Sequence, residues 1–415
     1  MVESSPDPLP AVDDGSERAS SAQVQRLERN QRLAQTRDGA RGRALSEVVQ
    51  DNLEHVWATG GRAGATEAGR QPNSILIREG FLLRPVLHGE TSGEGVLQRL
   101  IKSRGLQLKL QLLLLFEAQC RAGPGFRARP VRSIKPTADE DFVSWTQLIL
   151  SPAEPTPRTG RGRADLRARQ ITEALRVLQR EHLVKIPSDS AGRRRYEDAV
   201  MLAETGRPDE PSFVVPGGGA FAVSRHFFTN LWIFALTDSE IATFLMLSFL
   251  RSRFLGRHGS TGVFAVQHTR QDEFGITPAT YRSHTMLHRF RLIDRMLDED
   301  RDYTTGRVRN PEHQLSGQAG AAYPPRTSAG RFAEIGGGEE HTDQLVHVSA
   351  GTTARGRQGR ALQPHRFKIN DEVLRRPALE TIAQILGHPT YSDIFRRMGV
   401  QFSGPAGAAP HLDLP

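Results

Sequence analysis

The chain has 415 residues, a formal net charge of +8 and one cysteine, Cys120. That length accommodates two or three domains with sizeable cores, while a single cysteine excludes an internal disulfide and a cysteine-based metal centre. Apolar runs such as LLLLF at 112–116 are too short to span a bilayer. The acidic, polar first twenty residues lack the apolar core of a signal peptide, so the expected location is cytoplasmic, at the nucleoid, with no membrane partner.

Of the 55 basic residues only Lys102, Lys109, Lys135, Lys185 and Lys368 are lysines, which leaves 50 arginines. Arginine presents a planar fork that pairs bidentately with phosphate and with guanine edges. Biased codon usage in a GC-rich genome also raises the arginine count, but it does not explain the placement. Residues 121–195 hold 16 Arg and Lys against 8 Asp and Glu, a surplus equal to that of the whole chain.

In chain order, residues 1–74 are rich in Ser, Asp, Arg, Gln and Gly. Residues 22–35 can form a charged helix, but its apolar surface is too small to fold alone, so the segment is expected to be mostly disordered. A first structured block, 75–205, contains a buried helix at 106–121 (LQLKLQLLLLFEAQCR), a candidate strand at 126–134 and a short helix within 141–150. After a Pro/Gly/Arg loop, DLRARQITEALRVLQREH at 165–182 reads as an amphipathic helix. LVKI at 183–186 is a strand, SDSAG a turn, and RRRYEDAVML a returning strand or extended arm.

Residues 206–225, with GGG at 217–219, read as a linker. The second block, 226–400, opens with Thr237-Asp238-Ser239-Glu240, a capping box ahead of a largely apolar central helix. GVFAV at 262–266 reads as a short strand and 270–274 as a short helix ended by Gly275. Thr277 is then an N-cap with Pro278 at the first helical position, and LIDRML at 292–297 follows as a strand. Its expected partner is HRFKIN at 365–370, which makes 304–364 a flexible insertion at the tip of the hairpin. The arginines of TTARGRQGR within it suit either simple disorder or a phosphate track. Residues 401–415 read as a disordered tail.

Both blocks therefore run helix, strand, helix, helix, strand, wing, strand. The expected fold class is mainly α with small β wings (α+β), as tandem winged helix-turn-helix domains, in which the third helix enters the DNA major groove and the wing touches the backbone. A shared junction strengthens the repeat: Leu178-Gln179-Arg180-Glu181-His182-Leu183-Val184 and Leu287-His288-Arg289-Phe290-Arg291-Leu292-Ile293 both read L-x-R-x-x-L-[VI].

At a rotation of about 100° per residue, Ile171, Ala174, Leu175 and Leu178 share one side of the first of these third helices, with Arg169, Glu173, Arg176 and Arg180 opposite. In the second, Leu287 and Phe290 face inward with Ala279 and Ser283. Tyr281, Arg282, Thr285 and Arg289 face out, and His288 lies near the edge. Arginine can read guanine, Thr or Tyr can contact phosphate or a thymine methyl, and Glu173 can accept from cytosine. In the first wing, Arg193, Arg194 and Arg195 beside a Ser/Gly turn suit phosphate contact.

No chemistry of an enzyme is legible. GGG at 217–219 lacks the lysine and Ser/Thr of a P-loop, and there is no G-x-S-x-G elbow and no HExxH among the 14 histidines. Asp139-Glu140-Asp141 suits the positive end of a helix dipole, and DEDRD at 298–302 lacks the spaced partners a metal needs. No catalytic residue, metal or cofactor is expected.

The tandem order and its L-x-R-x-x-L-[VI] junctions resemble the plasmid replication initiators built from two winged-helix domains, and the Arg-, Ala- and Gly-rich composition would suit an actinobacterial relative. The resemblance covers about residues 100–400. It implies sequence-specific binding of double-stranded DNA, with Arg169, Arg176 and Arg180 on one half-site and Arg282, Thr285 and Arg289 on the other. Regulation by dimer–monomer exchange and contact with replication proteins are implied too. A transcriptional regulator with the same modules, or a winged-helix scaffold that docks on protein, would have the same sequence features.

Overall fold

The computed structural model describes residues 15–37, 42–61, 69–87, 90–91, 93–103, 105–127, 132–136, 142–151, 163–258, 262–296 and 365–387. The architecture is mainly helical with small two-stranded antiparallel sheets. The chain begins with α1 (Gly15–Gln35) and α2 (Leu45–Thr59), followed by β1 (Ser74–Arg78) and α3 (Glu79–Leu82). A small hairpin of β2 (Val86–Leu87) and β3 (Glu90–Thr91) leads to α4 (Val96–Lys102) and α5 (Gln107–Arg121). Next come α6 (Trp145–Leu148), α7 (Arg163–Arg180), β4 (Val184–Lys185), β5 (Val200–Met201) and β6 (Ala220–Ser224).

The remainder is α8 (His226–Thr229), α9 (Trp232–Ala235), α10 (Asp238–Arg253), α11 (Leu255–His258), α12 (Pro278–Tyr281), α13 (His284–Arg289), β7 (Ile293–Arg295), β8 (Phe367–Ile369) and α14 (Ala378–Gly387).

Two helices anchor the core. In α5 every residue from Gln107 to Cys120 is buried, because α2, α4, α7 and β1 surround it. α10 is buried from Glu240 to Leu250 and starts at the capping box read from the sequence, with Thr237 accepting from the Glu240 amide. Aromatic stacking joins the halves: Phe116 on α5 lies 4.9 Å from Phe228 on α8, and Phe227 lies 5.8 Å from Phe244 on α10.

The N-terminal segment is not disordered across its described part. On α2, Leu45, Val49, Leu53 and Val56 recur at helical spacing and are all buried. On α1, Leu33 is buried and Arg26 donates to the Ala235 carbonyl and pairs with Glu240 at 2.6 Å. α1 packs against α14, and α2 against α5 and α6. The supposed linker 206–225 also carries structure: β6 within it pairs antiparallel with β1, placing Ile75 opposite Val223 and Ile77 opposite Phe221. Residues 1–14 lie outside the described residues, as do 304–364, 401–415, and the acidic clusters at 139–141 and 298–302.

The expected hairpin partners do meet across the long insertion, with Ile293 opposite Ile369 and Arg295 opposite Phe367. Instead of a strand over 262–266 there is a single antiparallel bridge, Val263 to Phe367. The 126–134 strand is reduced to a bridge between Arg127 and Val214, with 128–131 outside the described residues. The short helix at 270–274 is a π-helical turn, Thr269–Glu273, closed by Gly275 at a φ of 65°, a left-handed conformation that glycine adopts without steric cost.

The repeated L-x-R-x-x-L-[VI] segment is a helix stop. The Leu183 amide donates to Leu178 O at 2.9 Å and the His182 amide to Gln179 O at 3.1 Å. In the second copy the Leu292 amide donates to Leu287 O at 3.0 Å and the Arg291 amide to His288 O at 2.9 Å. This is the Schellman pattern of helix termination, whose outer apolar pair is the two leucines of the motif.

Candidate nucleic-acid interface

On α7, Ile171, Ala174, Leu175 and Leu178 are buried, which leaves Arg169, Glu173, Arg176 and Arg180 exposed on the opposite side, as the helical rotation requires. Arg176 is held in place: its Nε donates to the Tyr196 hydroxyl at 2.9 Å, and an Nη lies 3.4 Å from the Glu173 carboxylate. The hydrogen bond to Tyr196 raises the Arg176 pKa above its usual value. Arg180 stands 3.7 Å from Glu181, itself bonded to Arg99 at 2.6 Å.

The hairpin that follows is built on Asp189. Its carboxylate accepts from the amides of Ala191 (2.9 Å) and Arg193 (2.7 Å), closing an Asx turn. Gly192, at a φ of 75°, supplies the left-handed residue at the tip. Ser188 then bridges Arg194, and the Arg195 amide donates to Pro187 O at 2.8 Å. Arg193, Arg194 and Arg195 are all exposed. Arg195 is partly neutralised, at 2.7 Å from Asp198 and 3.5 Å from Glu197.

In the second block the helix is interrupted. Thr277 caps the Thr280 amide at 3.1 Å with Pro278 beside it, but α12 ends at Tyr281 and α13 begins at His284. A continuous rotation therefore does not hold across Arg282 and Ser283, and two positions depart from expectation. Tyr281 is buried at 7% exposure with the Arg270 guanidinium 3.9 Å above its ring, so it does not face out. Ala279 is exposed, not inward.

The other inward positions agree with the sequence. Leu287 and Phe290 are fully buried, and the Ser283 hydroxyl reaches Ser239 O at 3.0 Å and the Thr243 hydroxyl at 2.9 Å on α10. Arg282 and Thr285 are exposed, the Thr285 hydroxyl donating to Arg282 O at 2.9 Å. Arg289 is half-buried and engaged within the fold. His288 serves the scaffold, since its Nδ1 lies 3.0 Å from Ile293 O and 3.3 Å from the Arg295 amide, fastening α13 to β7. Beside it, His284 packs 4.8 Å from Tyr281 and 5.4 Å from Phe367, and burial lowers its pKa.

The first site thus brings together Arg169, Glu173, Arg176 and Arg180 on one face, with Arg193, Arg194 and Arg195 on the following hairpin. The second retains Arg282 and Thr285 as outward residues. Sequence reasoning missed Tyr196, whose contact with Arg176 spans 20 residues and arises only because the hairpin returns. It also missed Arg291, which is 70% exposed next to Asp294. Its left-handed conformation became visible only once the junction was recognised as a helix stop.

Among the described residues no group of three or more His, Cys, Asp or Glu side chains could hold a metal ion, and no helix is long and apolar enough to cross a membrane. Cys120 is buried, and burial raises its thiol pKa well above the usual value, which disfavours the reactive thiolate. Comparison with protein-family profiles, with characterised proteins and with solved structures found no match.

Proposed function

We propose that the chain is a sequence-specific double-stranded DNA-binding protein built from two winged-helix modules, acting in the manner of a replication initiator. The observation that carries this reading is the outward arginine face of α7 followed directly by a hairpin with three exposed arginines. A groove-entering helix and a backbone-touching wing are the two contacts such modules make. The second module is the series α10, Val263, the π-helical turn, α12 with α13, and the β7–β8 pair, whose edge is closed by the Val263–Phe367 bridge.

In this reading Arg169, Arg176 and Arg180 address base edges, with Glu173 able to accept from a cytosine amino group. Arg193 and Arg194 contact phosphate. Arg282 and Thr285 serve the second module, and Arg289 contributes from its half-buried position. Tyr281 and His288 have no direct part, because one is covered by Arg270 and the other is tied to β7.

The test is binding of duplex DNA across a salt series. Neutralised phosphates release counterions, so log affinity should fall linearly with log salt. Arg193→Ala should shallow that slope by about one unit and weaken all sequences alike. Arg169→Ala should instead cost about 1–3 kcal/mol at one base pair. Binding indifferent to salt, or absent, would overturn the reading.

A further inference from the structure

We infer that Tyr196 is a positioning residue, which orients Arg176 so that the outer end of its guanidinium reads a guanine. This rests on α7 being the groove-entering helix. An exposed arginine on a helix ordinarily samples many rotamers, and ordering it opposes any base contact it makes. Here the side chain is braced from two directions. Tyr196 accepts from Nε at 2.9 Å, and Glu173, one turn earlier on the same helix, stands 3.4 Å from Nη1. Tyr196 is itself fixed, because its ring packs against the hydrophobic core and its backbone lies in the 3-10 turn Tyr196–Asp198.

With Nε committed to Tyr196 and one N–H of Nη1 directed to Glu173, each Nη still has an N–H to offer a partner at the end of the fork. That pair matches the O6 and N7 acceptors of guanine, the commonest bidentate base contact. The turn holding Tyr196 is the exit of the arginine-bearing hairpin, so one residue couples wing placement to the base-reading side chain.

The experiment is selection of bound duplexes from a randomised library by the full chain. Wild type would be compared with Tyr196→Phe, Arg176→Ala and the double variant, with thermal melts alongside. Arg176→Ala should abolish one guanine preference. Tyr196→Phe should weaken that same preference about two- to tenfold, the worth of one hydrogen bond, while other positions and the melting temperature stay unchanged. The double variant should be no worse than Arg176→Ala.

If wild type selects a site but Tyr196→Phe leaves its guanine preference intact, or weakens every position equally, the positioning role is wrong and the DNA reading stands. Should Tyr196→Phe lower the melting temperature, the double variant decides: if Tyr196→Phe still changes the selected sequences when Arg176 is already alanine, its effect does not pass through Arg176 and the inference is overturned. If wild type selects nothing, the DNA reading fails and this inference with it.

Discussion

His182 and Arg291 occupy the same place in two helix–strand junctions 109 residues apart, each left-handed, with φ of 57° and 62°. Each stands between two leucines that close the helix, Leu178 with Leu183 and Leu287 with Leu292. Glycine is the usual occupant of that position because a Cβ is disfavoured there.

His182→Gly and Arg291→Gly should therefore each stabilise the fold by about 0.5–1 kcal/mol, since relief of left-handed strain exceeds the added unfolded-state entropy. Chemical denaturation of the single variants checks this. A loss of stability in both would mean that the side chains hold the junctions by contacts stronger than the strain.

The helices presented to solvent should be separable into anchors and contacts. Leu287 is fully buried beneath α13, so Leu287→Ala should destabilise the chain by about 2–5 kcal/mol. Arg282→Ala, at an exposed position, should change stability by less than about 0.5 kcal/mol. Equal effects in a melting experiment would contradict the orientation of α12 and α13.

How much of this was legible in the sequence depends on how local each signal is. α7 and α10 could be read directly, because an apolar stripe or a capping box is written within one helix. The β7–β8 pairing was found across a long insertion because the order of elements called for a returning strand and HRFKIN alternates Phe367 with Ile369, although β7 itself shows no alternation. The β1–β6 pair was not, since nothing in SILIR names AFAVS as its partner until both are folded. Tyr281 was misplaced for a physical reason: the hydrogen bonds tighten to i−3 at Ser283, Thr285 and Met286, which shifts the helical phase between Tyr281 and Leu287. α1 was read only as a possible charged helix, because its sparse apolar residues become meaningful against α14, and α2 was missed although Leu45, Val49, Leu53 and Val56 keep a helical period.

The docking of α1 gives a further expectation. Arg26 and Glu240 form a buried pair at 2.6 Å, 9% and 5% exposed, and removing one partner leaves the other charge uncompensated. Arg26→Ala should cost about 3–5 kcal/mol and speed hydrogen exchange along α1 and α14. If α1 amides in the wild type exchange as fast as an unfolded chain, the helix is not docked in solution.

Lys109, on α5, donates to Leu236 O at 2.7 Å and sits near Arg26, Arg29, Asp238 and Glu240. Its burial, chiefly, lowers its pKa from 10.5 to about 7. Between pH 7 and 10.5 the unfolded chain thus binds more protons at this site than the folded one, so the site's contribution to stability rises with pH across that window. Wild type should gain up to about 1.4 kcal/mol per pH unit relative to Lys109→Met over the middle of that range. Parallel stability profiles for the two proteins would show that Lys109 keeps an ordinary pKa.

Whether two modules read DNA sequence together is decided by selection of duplexes from a random library by the full chain at near-physiological salt. Enrichment of a two-part site with fixed spacing between the parts is the predicted result, with the preference at one part altered by Arg169→Ala and at the other by Arg282→Ala. Weak, salt-sensitive retention with no enriched sequence would contradict it and point to a nonspecific binder or a scaffold.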